Sequence, residues 1–306
     1  MKIAVAGVGG VGGILSALLI RHGEDVSLIA RGEHARAMRE NGIWLRSQLL
    51  GEIHVNPALV TDDPAEVGIA DVVLICVKTY SLNEMALKIA PMVGPNTLVI
   101  PLCNGIGNGD RVDKQLGKGI VLDGCIYVSS FITAPGEFGQ VGESLKIAFG
   151  PRKGIVTPQM KALEKLLLDA GVIICRATED IESEVWQKYT NVCAFAGATS
   201  YYMQPMGELQ KDKEKTALAL DAAKEIIALA KAKGIKLPED IMERNERSFW
   251  KSVPEMKPSM LRDFETPGKP TEIEAFSVYV VRLGRELGVP TPAHERIARK
   301  LAPDMI

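Results

Sequence analysis

The chain begins with a short apolar run, Lys2 to Ala6, that leads straight into Gly7-Val8-Gly9-Gly10-Val11-Gly12. No other feature constrains the fold as strongly. Glycines at 7, 9 and 12 form G-x-G-x-x-G, a pattern that is weak alone and strong when it follows a strand and opens a helix. Here "KIAVAG" reads as a strand, Gly10 to Arg21 as a helix and "DVSLIA" as a second strand. Gly7 then permits a tight turn, Gly9 lets the backbone approach a pyrophosphate, and Gly12 lets helix and sheet pack closely. Val8, Gly10 and Val11 complete the loop. The phosphates of a dinucleotide rest on the helix N-terminus, where free N–H groups and the dipole favour anions. The apolar residues from 3 to 20 imitate a secretion signal, but the glycines between 7 and 12 interrupt the continuous helix such a signal needs.

An NAD site usually places a carboxylate on the ribose 2′-hydroxyl, about 20 residues beyond the fingerprint. This chain instead has Arg31, directly after "SLIA". A carboxylate would repel a 2′-phosphate, whereas the planar guanidinium suits one. The expected cofactor is therefore NADPH. Glu33, close behind, reads as a first-turn acid facing the positive end of a helix.

The first half continues as a βαβ alternation. "EHARAMRENG" is a short helix ended by Gly42, and "ADVVLICVK" has the unbroken apolar character of a strand buried on both faces. "SLNEMALKIAPMV" is helical and "TLVIPLCNG" is another buried strand. Such alternation specifies a doubly wound, Rossmann-type sheet. From Gly119 to Gly150, strand residues broken by Pro and Gly read as antiparallel strands that extend it. "TPQMKALEKLLLDAG" is a helix and "VIICRAT" a last strand. Residues 1–178 thus form an α/β cofactor-binding domain. Residues 179–306 show only helical spacing and form an all-helical domain for substrate and catalysis.

Composition narrows the function class. A net charge of −2 with no long basic run argues against nucleic acid. The five cysteines form no C-x-x-C pair, and the four histidines lie far apart. Reduced thiols, a cytoplasmic location and no metal site follow. No later apolar run reaches the length of a membrane span. Long apolar helices such as "ALALDAAKEIIALA" can bury against a second copy in a homodimer, or form a monomer's core.

Candidate site residues cluster at segment ends. Lys78 in "CVKTYS" and Asn104 in "PLCNGIGN" close two strands at their carboxyl ends, where open α/β sheets bind ligands. In "ESEVWQKYTNVCAFAGATS", Lys188 is the last charge before an uncharged run through Met206. A lysine entering a buried helix loses hydration, which lowers its pKa and equips it as a proton donor near neutrality. Asn191 follows on a neighbouring face. Ser259 in "PSMLRD" and Glu272 in "PTEIEAFSVYVVRLGRELGVPTP" flank a Pro/Gly turn, with Glu272 read as an acid at a helix start.

Taken together, "GVGGVG", Arg31, "VKTYS", "CNGIGN", "VWQKYTNV", "PSMLRD" and "PTEIEA…VVRLGRELGVPTP" resemble the 2-dehydropantoate 2-reductase (ketopantoate reductase) family, nearly end to end. The resemblance implies reduction of a 2-oxo acid to a 2-hydroxy acid with NADPH, most directly ketopantoate to pantoate in pantothenate and CoA biosynthesis. It implies that Gly7, Gly9, Gly12, Arg31, Lys78 and Asn104 bind cofactor, and that Lys188 is the general acid. It further implies that Ser259 contacts substrate and that Glu272 holds the cofactor ribose or the catalytic lysine. The chain departs from the family in one place. Where the family usually carries asparagines after the lysine, this chain has Val192, Ala196 and Met206. Such a pocket suits a more apolar 2-oxo acid, branched or aromatic. A chain that binds NADPH without turnover, as a sensor, is the alternative from another class.

Overall fold

The structure is a computed structural model that describes all 306 residues. The chain divides into two compact units. One is Met1–Cys103 with Gly107–Ile181, and the other is Asn104–Ile106 with Glu182–Ile306.

The first unit alternates strands and helices. In order they are β1 (Lys2–Ala6), α1 (Gly10–His22), β2 (Asp25–Ile29), α2 (Gly32–Asn41), β3 (Ile43–Ser47), β4 (Gly51–Val55), β5 (Leu59–Thr61) and β6 (Ala70–Ile75). They continue as α3 (Leu82–Lys88), β7 (Val93–Pro101), α4 (Asn108–Leu116), β8 (Ile120–Ala134), β9 (Glu137–Pro151), α5 (Pro158–Asp169) and β10 (Ile174–Ala177). One sheet runs β4-β3-β9-β8-β7-β6-β1-β2-β5, with β10 beside β9. From β5 to β8 every pairing is parallel. The long β8–β9 pair is antiparallel, as the Pro- and Gly-broken pattern predicts. Strand alternation splits the core between the faces: Ile3 and Val5 join one apolar cluster, Ala4 and Ala6 the other.

β1 lies between β2 and β6. The chain leaves β1 for one side and returns to its other side, so the glycine loop stands at the switch point of the sheet. Ligands of open α/β sheets bind there, outside the carboxyl ends of the strands. Gly7 has φ +91°, a left-handed conformation that a side chain resists. Gly12 sits so close to the turn that a Cβ would lie 2.3 Å from the Gly7 carbonyl oxygen. The two glycines thus hold helix, turn and strand in one tight unit.

Three strands, β3 to β5, go beyond the sequence reading. β3 and β4 form a hairpin whose Leu45 and Ile53 are buried. Its loop, "QLL", carries no Asn-Gly or Asp-Gly signal, so the hairpin is poorly announced.

The second unit is helical: α6 (Ile181–Tyr202), α7 (Met206–Gln210), α8 (Lys213–Ala232), α9 (Ile241–Lys251), α10 (Ser259–Phe264), α11 (Tyr279–Leu287) and α12 (Pro292–Leu301). α6 is its axis, buried continuously from Cys193 to Ser200. α8 packs against α7, α9, α11 and α12, and its alanines and leucines join the same apolar cluster as α6. Glu225 of α8 accepts from the backbone N–H groups of Ala293 and His294, at 2.6 and 3.0 Å, and so caps α12. Burial pushes that carboxyl up to about 7, with the two N–H bonds pulling the other way. No helix is long and apolar enough to cross a membrane.

The glycine geometry gives a direct expectation. Gly12→Ala should cost about 1–3 kcal/mol in urea unfolding, because the clash outweighs the helix propensity gained. Gly9→Ala, whose Cβ would meet nothing within 4 Å, should cost no more than about 1 kcal/mol. Equal losses would contradict this packing.

Candidate active site

In the first unit, the N-terminus of α1 is prepared for an anion. Its first turn holds no acidic residue, and no side chain caps it. The cap is Gly9, where a Cβ would point into open space. The loop residues Val8, Gly10 and Val11 lie within this turn, with Gly10 and Val11 opening α1. A pyrophosphate against this loop would find backbone donors, no competing carboxylate and room for close approach. The residues therefore fit a dinucleotide.

Arg31 follows β2 and caps α2, its backbone extended and its side chain exposed. It is held in no ion pair, so its guanidinium remains available to a phosphate. Glu33 lies in the first turn of α2 and reaches toward Arg36 at 3.7 Å, with a 72% exposed side chain. It serves as the helix acid the sequence suggests.

Lys78 follows β6 and caps a single tight turn, Thr79–Ser81. Arg111 of α4 braces that turn. It donates to the Thr79 carbonyl oxygen at 3.1 Å and to Asn83 at 3.2 Å. The half-buried Lys78 is thereby presented from a fixed loop at the end of a central strand.

The second unit assembles three of the sequence candidates. Lys188 of α6 is 8% exposed and Glu272 is 2% exposed. The Lys188 ammonium donates to Asn104 Oδ1 at 2.8 Å. Asn104 Nδ2 in turn faces Glu272 Oε2 at 3.5 Å, the far limit of a hydrogen bond. The amide is oriented by charge: its oxygen takes the cation, and its NH2 looks to the carboxylate. Residues 84 and 168 positions apart in sequence are linked in this way. Asn104 follows β7 yet belongs with the helical unit.

Glu272 stands at the start of a helical segment, its carbonyl oxygen accepting from the Phe276 N–H at 3.1 Å, and it is buried. It precedes an irregular π-type turn, Glu274–Val278, where Phe276 departs from helical geometry before α11 begins. Tyr189, next to Lys188 on α6, secures this turn. Its hydroxyl donates to the carbonyl oxygens of Ala275 at 2.8 Å and Phe276 at 3.2 Å. Burial drives the Tyr189 phenol well above its ordinary pKa, so it stays a neutral donor. Local spacing on α6 conceals this role, because the partners lie 86 and 87 residues away.

Ser259 opens α10 and Asn191 lies one turn beyond Lys188, both half-buried. Neither bonds to the Lys188–Asn104–Glu272 chain. Ala196 and Met206, 1% and 0% exposed, belong to the apolar core of the helical unit, and Val192 packs on it.

Residues 3–154 match the model of the family described as "Ketopantoate reductase PanE/ApbA". Residues 180–303 match the model described as "Ketopantoate reductase PanE/ApbA C terminal". The chain is 28% identical to the uncharacterized oxidoreductase YkpB of Bacillus subtilis, over 98% of each chain. It is also 28% identical to a 2-dehydropantoate 2-reductase of Mesorhizobium japonicum, over 99% of this chain and 98% of the relative. A crystal structure of a PanE/ApbA family ketopantoate reductase from Ralstonia eutropha JMP134 superposes with a TM-score of 0.88. That match has 30% identity and covers 97% of this chain and 96% of the other.

Proposed function

The chain belongs to the ketopantoate reductase family, and from that premise we propose that it reduces 2-dehydropantoate to pantoate with NADPH, using Lys188 as general acid. The coarser activity, an NAD(P)-dependent oxidoreductase acting on 2-oxo acids, comes with the family. The observation that carries the finer reading is the buried Lys188–Asn104–Glu272 chain. An ammonium is costly to bury, and this one is held by an amide whose far side meets a carboxylate.

NADPH, when bound, supplies the hydride. The substrate's carbonyl carbon accepts it, and negative charge builds on the carbonyl oxygen. Lys188 stabilises that charge and then gives up a proton, completing the hydroxyl. A preorganised donor of this kind contributes about 3–4 kcal/mol. Asn104 fixes the ammonium and Glu272 fixes Asn104, so little reorganisation is left for the reaction itself. Ser259 and Asn191 are assigned to the substrate, Ser259 toward its carboxylate. Gly7, Gly9, Gly12 and their loop neighbours hold the pyrophosphate, Lys78 and Asn104 the cofactor beyond it, and Arg31 the 2′-phosphate. The product places the chain in pantothenate and CoA biosynthesis.

A second reading is favoured by Val192, Ala196 and Met206. With apolar groups at these positions, α6 and the start of α7 present fewer amides to a substrate hydroxyl. A site that hydrogen-bonds a hydroxyl discriminates far better than an apolar one. The substrate in this reading is a branched or aromatic 2-oxo acid without that hydroxyl.

Two substitutions test the assignments. Lys188→Ala should leave the NADPH dissociation constant within about twofold and lower turnover by roughly 100-fold or more. Retained turnover would remove Lys188 as the acid. Arg31→Ala should weaken NADPH by roughly tenfold in fluorescence titration and leave NADH nearly unchanged. Equal losses for both would remove the 2′-phosphate assignment.

A further inference from the structure

His34 makes contacts that none of the roles above uses. It lies in the first turn of α2, close behind Arg31. Its Nε2 is 2.8 Å from the carbonyl oxygen of Val8, inside the glycine loop. Its Nδ1 is 3.0 Å from the backbone N–H of Gly136, in the turn between β8 and β9. The geometry fixes the tautomer. Gly136 can only donate, so Nδ1 accepts and carries no proton; Nε2 therefore holds the proton and donates to Val8. The ring is further held edge-to-face against Phe138, at 5.2 Å between centroids. Phe138 is fully buried against α1, so near that a Cβ on Gly13 would fall 2.2 Å from its ring.

One imidazole thus ties together the glycine loop, the helix capped by Arg31 and the β8–β9 turn. Its effect on the loop follows from peptide geometry. In a trans peptide the C=O and the next N–H point in opposite directions. Holding the Val8 oxygen toward His34 turns the Gly9 N–H away from His34. That N–H bonds to no backbone carbonyl, and it belongs to the cap of α1. A carbonyl that accepts a hydrogen bond also polarises its own peptide, which makes the N–H a stronger donor.

We propose that His34 is a positioning residue for the dinucleotide. By anchoring Val8 it aims the Gly9 N–H at the pyrophosphate and sets the spacing between that N–H and Arg31. This rests on the cofactor reading above. His34 touches no reacting atom, so its effect falls on cofactor affinity and not on the chemical step.

The test uses the full chain with three probes: NADPH, NADH and 2′-AMP, which carries the 2′-phosphate and lacks the pyrophosphate. His34→Leu should weaken NADPH and NADH alike, by roughly tenfold. It should leave 2′-AMP and the turnover at saturating NADPH within about twofold. His34→Gln, which offers both a donor and an acceptor, should restore most of the affinity. Unchanged NADPH binding in His34→Leu would overturn the proposal, as would an equal loss of 2′-AMP, which marks a general loosening of the fold. Should His34→Leu not fold, His34→Gln and His34→Asn carry the comparison. The shorter Asn cannot span both partners, so equal affinities for that pair would also overturn it. A wild-type chain that bound neither dinucleotide would remove the cofactor reading itself. A wild-type chain that bound NADPH while His34→Leu bound it equally well would remove this proposal alone.

Discussion

The cost of burying the Lys188 ammonium governs the helical unit. A charge taken out of water costs several kcal/mol unless it is paired and hydrogen-bonded. Asn104 and Glu272 meet that cost together, and each needs support of its own. Glu272 is delivered by a backbone that leaves helical geometry at Phe276, and Tyr189 secures that departure. Asn104 comes from the segment that follows β7. The polar chain thus lies in a bundle whose α6 is buried through its middle and whose α11 begins irregularly.

The α/β unit was the more legible in sequence. A glycine with φ +91° and a glycine 2.3 Å from a carbonyl oxygen, measured from its would-be Cβ, are local demands, and local demands leave local signatures. The strands and helices around them follow from apolar periodicity over short windows. Arg31 was readable because its place after β2 is fixed by the same pattern. β3 and β4 were harder. Their alternation is short, and their loop lacks the residues that mark a two-residue hairpin turn.

The helical unit was legible only in part. Lys188 stood out as the last charge before a buried run. Glu272 looked like an ordinary helix-start acid, because its burial depends on a fold closed over many residues. Nothing near Tyr189 in sequence marks its role, and His34 was one of four histidines far apart in the chain. In each, the partner lies far off in the chain, and spacing within one segment carries no trace of it. Val192, Ala196 and Met206 show the converse: the sequence marks them as unusual for the family, and in the structure Ala196 and Met206 lie in the helical core with Val192 packed on it.

The most direct measurement is NADPH oxidation at 340 nm by the purified protein, across a panel of 2-oxo acids that includes ketopantoate, 2-oxoisovalerate and phenylglyoxylate. Turnover with 2-oxo acids is expected, with the highest kcat/KM for ketopantoate. A preference for the apolar acids would keep the reductase and replace its substrate, with Val192, Ala196 and Met206 reporting the change. No oxidation with any of them would contradict the catalytic role of the Lys188 chain.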